Sequence, residues 1–285
     1  MQVLPVIGSS AASVSTSAPL TLASSGRLDV KLADSEVEIR AAQALRYHVF
    51  YEEMHATPSA EMARLGRDFD VFDDYCDHLL VIDRDLPKDR CVVGTYRLMR
   101  QEEALAHGGF YSATEFDIAP LIARMAEGER FLELGRSCVH PAYRSNKTIQ
   151  LLWQAIHSYI QVHQITYMFG CGSFPGTDLD ALALPLSFLH HEYLAPESLR
   201  VRAHADRYVS MNRMPREAIS IRQALRKTPP LIKGYLRLGA YVGDGAVIDE
   251  PFGTTDCFIL VPVERIANRY NSHFDRLFGE RDATG

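Results

Sequence analysis

The stretch that most limits how this chain can fold is Phe131–Leu152, FLELGRSCVHPAYRSNKTIQLL. It reads as a strand, a tight turn and the start of a helix. FLELGRSCV is apolar at most positions but carries Glu133 and Arg136, and His140–Lys147 is a turn rich in Arg, Ser, Asn and Lys. Apolar residues then recur at Ile149, Leu152, Trp153, Ile156 and Ile160, the spacing of one helical face. A polar, partly cationic turn at a helix N-terminus suits an anion, because the first backbone N–H groups are unpaired and point outward. Glu133 is ionisable in a strand that should be buried, and such a group needs a reason. Two reasons are open: a catalytic base beside a phosphate-bearing donor, or a structural ion pair with an Arg. Strict alternation puts Glu133 with Phe131, Gly135, Ser137 and Val139, and Arg136 on the opposite face. Both can line one pocket only if the strand changes phase, so a β-bulge or kink is expected near Gly135, with that glycine permitting it.

The chain has 285 residues, 47% of them hydrophobic, enough for a sizeable core. Residues 1–26 are rich in Ser, Ala and Thr and hold no Lys or Arg. They are read as a flexible tail reaching residue 27, with residues 28–285 forming a single domain. The five Cys are scattered and never spaced CxxC, so neither a metal site nor a disulfide framework is expected, and a reducing compartment fits. No apolar run approaches the ~20 residues of a membrane span. A cytoplasmic location is expected. The net charge of −6 conceals an asymmetry: residues 200–239 carry ten Lys or Arg against Asp206 and Glu217, a balance of +8, which leaves −14 elsewhere. A cationic segment on an acidic chain suggests an anionic partner, or else a solvated helix face. Nucleic acid is not expected, since the aromatics there do not interleave as a stacking platform.

Along the chain, Glu36–Ala56 is expected to be a helix with Leu45 and Val49 on its apolar stripe and Arg46 beside it. A polar loop follows at 57–77, with clustered Asp68, Asp70, Asp73, Asp74 and Asp77. Packed carboxylates repel one another and need cations or full hydration. The loop is either a pocket wall for a cationic substrate or simply solvated, and interleaved Phe69, Phe72 and Tyr75 argue that it is pinned down. His78–Arg84 and Cys91–Met99 read as a hairpin with Arg97 on a largely apolar face, followed by a helical excursion at 100–130. After the opening stretch come a helix to Gln164, a strand at Ile165–Phe174 and a helix capped near Asp178 and running to Leu194. Basic helices near Arg216–Arg226 and Pro230–Leu238 lead through Gly-rich YVGDGAVIDEPFGTTD to a strand at Cys257–Val263 and a final helix at Glu264–Phe278. The order predicts an α/β fold with a mixed central sheet and helices on both faces, extended by a helical C-terminal segment.

No GxSxG elbow is present, and neither GxGxxG opening a helix nor GxxxxGK[ST] occurs. An anion cradle, a strand Glu, selected Arg, an acidic loop and a basic face remain, which suit group transfer from a phosphate-containing carrier to an amine. The strand–turn–helix resembles the donor-binding motif of the GNAT superfamily of N-acyltransferases. Its usual turn is Arg/Gln-x-x-Gly-x-Gly/Ala. Arg144-Ser145-Asn146-Lys147-Thr148-Ile149 keeps only the Arg and lacks both Gly, which weakens the case for acetyl-CoA as donor. More specifically, RYHVFYEE, FDDYCDHLLV, GTYRL, ELGRSCVHPAYR, GTDLDALALPLSFLHH, PPLIKGYLRLGAYVGDGAVID and TTDCFILV resemble the L-ornithine N(alpha)-acyltransferase family of bacterial ornithine-lipid synthesis, over roughly residues 36–275. A thinner likeness runs to acyl-homoserine-lactone synthases through Arg46, Phe50, Asp70, Asp73, Arg97, Glu133 and Arg136.

The resemblance implies a GNAT-like enzyme that moves a 3-hydroxyacyl chain from acyl carrier protein to the α-amine of L-ornithine, giving lyso-ornithine lipid. It implies no bound cofactor; the donor is the phosphopantetheine arm of the carrier. Glu133 would take the amine proton. Asp70, Asp73 and Asp77 would hold the side-chain ammonium, and Arg97 or Arg136 the carboxylate, with Arg46 also in the substrate site. Backbone N–H groups at Ser137, Cys138 and Val139 would steady the oxyanion. Arg144, Asn146, Lys147 and Thr148 would hold the phosphate, with Ser173 also on the donor side. The 200–239 segment would dock the acidic carrier or an anionic inner-membrane surface. The competing readings are a signal synthase that acylates S-adenosylmethionine, and a non-catalytic module that binds carrier or membrane.

Overall fold

The computed structural model describes residues 21–88 and 90–266. In chain order the elements begin β1 (Thr21–Ser25), β2 (Leu28–Leu32), α1 (Glu36–Tyr47), α2 (Ala60–Leu65), β3 (Asp77–Asp83) and β4 (Val92–Arg100). They continue α3 (Gln101–Ala106), β5 (Phe116–Asp117), α4 (Ala119–Ala126), β6 (Phe131–Val139), α5 (Asn146–His163), β7 (Tyr167–Pro175) and α6 (Ala183–Tyr193). The last are β8 (Arg202–Ala203), α7 (Ile221–Lys227), α8 (Pro230–Arg237), β9 (Tyr241–Asp249) and β10 (Thr254–Pro262). The strands lie in the order β1-β2-β3-β4-β6-β7-β10-β9-β8-β5. Pairing is antiparallel except for β6 with β7 and β8 with β9, so the sheet is mixed as expected.

Alternation along each strand sorts apolar side chains onto two faces. On β10, Cys257, Ile259 and Val261 join the core under α5, α6, α7 and α8, while Phe258 and Leu260 join a second core with Phe110, Phe116, Leu121 and Phe169. On the latter side α1 and the π-helical turn that follows it (His48–Glu53) cover the other half of the sheet, with Leu45, Val49 and Phe50 packed against Leu80 and Val92. Helices therefore cover both faces. On α5 the buried stripe is Leu151, Leu152, Ala155, Ile156, Tyr159 and Ile160; Ile149, expected on that face, is half exposed.

Four sequence expectations change. The tail expected to reach residue 27 ends sooner among the described residues, because Thr21–Ser25 pairs with β2. The loop expected at 57–77 contains α2, whose N-cap Ser59 accepts from the Met62 N–H. The helix expected from Asp178 starts at Ala183. The Gly-rich lead-in is β9, bulged where two residues of β10 span Val242 to Ala246. Gly243 and Gly245 are needed in it: an added Cβ would come within 2.8 Å of the Val201 carbonyl oxygen and 2.3 Å of the Tyr208 ring. The segment after α8 thus completes the sheet with a hairpin. The helix expected at Glu264–Phe278 lies, from residue 267 onward, outside the described residues.

Candidate active site

The sheet forks between β6 and β7. They pair at Phe131/Tyr167, Leu132/Met168 and Glu133/Phe169, and the parallel ladder stops there. Gly170 marks the divergence, since a Cβ on it would stand 2.3 Å from the Leu134 carbonyl oxygen. Beyond this point β6 stays with β4, and β7 stays with β10. Against β4, Gly135 faces Arg97 and Cys138 faces Thr95, so three steps on β6 match two on β4. This is the expected bulge, located at Arg136–Ser137. Its strained residue is Arg136, with φ of +48°, and not Gly135. An added Cβ at Gly135 would meet only the Arg97 Nε, at 3.9 Å, so the glycine is not what permits the turn of phase.

Glu133 is buried and, among the described residues, forms no ion pair of the kind its structural reading required. Its carboxylate accepts the Tyr111 N–H at 2.9 Å, the Ser112 N–H at 2.6 Å and the Ser112 hydroxyl. These donors belong to a single 3₁₀ turn, Tyr111–Thr114. Burial pushes the Glu133 pKa up, and the Ser112 donors and the Arg97 charge oppose that push.

Arg46, Arg97 and Arg136 interlock with Asp68, Asp70 and Asp73. Arg46, fully buried on α1, pairs through Nη1 and Nη2 with both Asp73 oxygens at 2.9 and 2.6 Å, and through Nε with Asp68 at 2.7 Å. Arg97 bridges Asp70 and Asp73, while Arg136 reaches Asp70 at 3.1 Å and Asp68 at 3.4 Å. Three cations match three carboxylates, and Arg46 holds the Asp73 carboxyl well below its usual range despite burial. Asp70 and Asp73 are therefore committed to arginines, which corrects their assignment to a substrate ammonium. Asp77 is corrected too: it lies on the α5 side of β3, bound to the Tyr159 hydroxyl and to Arg100 at 3.3 Å. Of the three arginines, Arg136 faces an open cleft of about 570 Å³, lined also by Tyr51, Ser59, Met62, Glu250 and Phe252.

At the turn before α5, the Ser145 hydroxyl accepts the Thr148 N–H. Arg144 is tied to the Glu53 carboxylate (Nη2 to Oε2, 2.6 Å) and by Nε to the Val139 carbonyl. Thr148 is buried and donates its hydroxyl to the Tyr143 carbonyl at 2.7 Å. The expected phosphate group is thus split: Thr148 is buried in the turn, Arg144 is exposed but tied to Glu53, and Asn146 and Lys147 are exposed at the start of α5. Ser137, Cys138 and Val139 lie on the forked end of β6, and Ser173 on the facing end of β7 sits opposite Asp256 of β10.

The sequence reading missed Tyr111, Ser112, Glu115, Cys171 and Asp256. Tyr111 lies under the Arg136 guanidinium, 5.0 Å from the ring centre. One ligand-type atom from each of Glu115, Cys171 and Asp256 lies within 4.8 Å of the others, the one group among the described residues close enough to share a cation. Burial pushes Glu115 up to about 7 and Asp256 up to about 6. Asp256 did carry a usable signal: like Glu133 it is a charge within an apolar strand. Glu115 had none, since only the pairing of β5 with β8 carries it over β7.

The acetyltransferase (GNAT) domain family matches residues 45–154. An L-ornithine N(alpha)-acyltransferase of Agrobacterium fabrum is 53% identical, the match covering 87% of this chain and 85% of that protein. Its counterpart in Brucella abortus is 54% identical over 87% of this chain and 89% of its own length, and that of Rhodobacter capsulatus is 42% identical over 87% and 95%. With the forked mixed sheet and its flanking helices, these matches make the chain a GNAT-fold acyltransferase that belongs to the L-ornithine N(alpha)-acyltransferase family.

Proposed function

We propose that the protein transfers a 3-hydroxyacyl chain from the phosphopantetheine arm of acyl carrier protein to the α-amine of L-ornithine, giving lyso-ornithine lipid. The observation that carries this reading is the fork between β6 and β7, with Glu133 and Arg136 on one face of it. A thioester threaded into the fork would lie beside backbone N–H groups at Ser137, Cys138 and Val139, suited to an oxyanion. Asn146 and Lys147, at the start of α5, are the exposed groups that would meet the phosphate. The amine proton passes to Glu133, whose burial favours taking one up.

The acceptor enters through the cleft. Its carboxylate pairs with Arg136, the arginine of the network that faces open space. Its side-chain ammonium pairs with Glu250, which lines the same cleft and replaces Asp70, Asp73 and Asp77 in that role. Arg46 and Arg97 act by holding Arg136 and the acidic loop in place.

The cations of 200–239 form the docking face for an acidic carrier. Arg222, Arg226 and Lys227 on α7 are exposed members of it. Contact with an anionic bilayer is a second reading, favoured by exposed Ile221, Leu225 and Leu231 beside those cations. No helix among the described residues is long and apolar enough to cross a membrane.

The test is to give purified protein a 3-hydroxyacyl carrier thioester with either ornithine or S-adenosylmethionine. Amide product and thiol release with ornithine are expected. Turnover with S-adenosylmethionine alone would replace this reading with a signal synthase.

A further inference from the structure

Amide formation from an ammonium and a thioester releases one net proton. The C–N bond forms and the C–S bond breaks; the nitrogen loses two protons, and the departing thiolate takes one of them. The other reaches Glu133, which lies buried under the Tyr111–Thr114 turn. It must leave before the next cycle.

A connected set of groups leads away from it. The Ser112 hydroxyl donates to Glu133 and stands 3.5 Å from the Cys171 sulfur. The Cys171 thiol in turn donates to the Glu115 carboxylate at 3.5 Å. Glu115 also faces Asp256 on β10, and its other oxygen lies 3.8 Å from Arg207, a third of whose side chain is exposed. Asp249 on β9 adds a more distant negative charge to Glu115, and Arg97 and Cys76 face Glu133. Each link is a donor and an acceptor within hydrogen-bond reach of the next, in a site without bulk water.

We propose that Ser112, Cys171 and Glu115 form a proton exit that returns Glu133 to its carboxylate after each acyl transfer. This rests on the amide-forming reading above. Protonated Glu133 donates to the Ser112 oxygen. The Ser112 proton moves to the Cys171 sulfur, and the Cys171 proton moves to Glu115. The sum is Glu133–COOH plus Glu115–COO⁻ giving Glu133–COO⁻ plus Glu115–COOH, with no other change. Glu115 then loses its proton to solvent beside Arg207. Ser112 and Cys171 are relay and positioning residues, since neither touches the reacting carbon. Burial keeps the Cys171 thiol protonated, as a relay member must be between transfers. The raised pKa of Glu115 suits a group that loads and unloads near neutral pH.

Steady-state kinetics of the full chain with acyl carrier thioester and ornithine test this. Cys171→Ala and Cys171→Val should each lower kcat by ~10-fold or more with the ornithine KM little changed, and Cys171→Ser, which restores a hydroxyl relay, should recover most of it. Glu115→Gln should lower kcat and remove the limb of its pH profile near neutrality. Thermal unfolding identifies folded variants; Val fills the site if Ala does not fold. Wild-type kcat and pH profile in Cys171→Val and Glu115→Gln, with Glu133→Gln inactive, would overturn the exit. An active Glu133→Gln would instead overturn the base reading itself.

Discussion

Arg136 lies on the same face of the sheet as Glu133, three residues after it on β6. One extra residue in the bulge changes the strand's phase between them. The common contact is Tyr111: its N–H binds Glu133, and its ring lies under the Arg136 guanidinium. Arg136 keeps its left-handed backbone because Asp68, Asp70 and Tyr111 hold its side chain. Such strain is sustained where the surroundings over-determine a conformation.

Glu133→Gln should abolish turnover while the protein stays folded. These two N–H groups bind different carboxylate oxygens, so the amide oxygen can accept from Ser112 or from Tyr111 but not both, and its NH₂ meets the other donor. A stability loss of about 1–3 kcal/mol is expected. Product formation and circular dichroism check the two halves separately.

Arg46→Ala should act on folding rather than on substrate. It leaves Asp68 and Asp73 buried beside each other without their main cation, and should cost about 3–5 kcal/mol by denaturant titration. Arg46→Lys should recover only part of this, because an ammonium cannot reproduce the paired hydrogen bonds to Asp73.

Gly170→Ala should close the fork. The new Cβ would stand 2.3 Å from the Leu134 carbonyl, a backbone atom with little room to move. We expect loss of carrier turnover and a destabilisation of at least ~1–3 kcal/mol. Wild-type activity in this variant would mean that the donor does not use the gap between β6 and β7.

Glu250→Gln should raise the KM for ornithine by ~10-fold or more, the scale of one lost charge-assisted bond. For an acceptor of the same length without the side-chain ammonium, the KM should be nearly unchanged. An equal effect on both acceptors would remove Glu250 from the ammonium site.

The pH dependence of stability should carry two opposite contributions. Glu115, pushed up from its ordinary 4.5 to about 7, binds more protons folded than unfolded across that window. Stability should therefore fall as pH rises through it, by on the order of 3 kcal/mol for this group. Asp256 acts in the same sense up to about 6. Asp73, depressed by Arg46, works the other way: its contribution is present above its ordinary 3.8 and is lost as pH falls toward its lowered value. Thermal unfolding from pH 4 to 8 should show the decline, and Glu115→Gln should flatten it.

Much of this architecture was legible in the residues. The strand–turn–helix at 131–163 could be read because apolar spacing changes from alternation to helical period within a few residues. The bulge could be read because two charges of opposite parity had to share a face. The glycines of β9 misled, since a glycine that admits a neighbouring chain or ring looks in sequence like one that makes a loop.

By itself, the sequence determined the strand–turn–helix at 131–163, the charge asymmetry, the amide-forming chemistry implied by its motifs, and Glu133 as the strand's unusual group. These depend on local periodicity and on residue type, which short stretches carry. Only the tertiary structure decided which charges are free. Asp70 and Asp73 end as partners of Arg46, Arg97 and Arg136, while Asp77 faces the other side of the sheet. Glu115 is brought beside Cys171 and Asp256 from more than 50 residues away. A carboxylate's role depends on the nearest cation and on the water excluded around it. Both are set by contacts between distant segments.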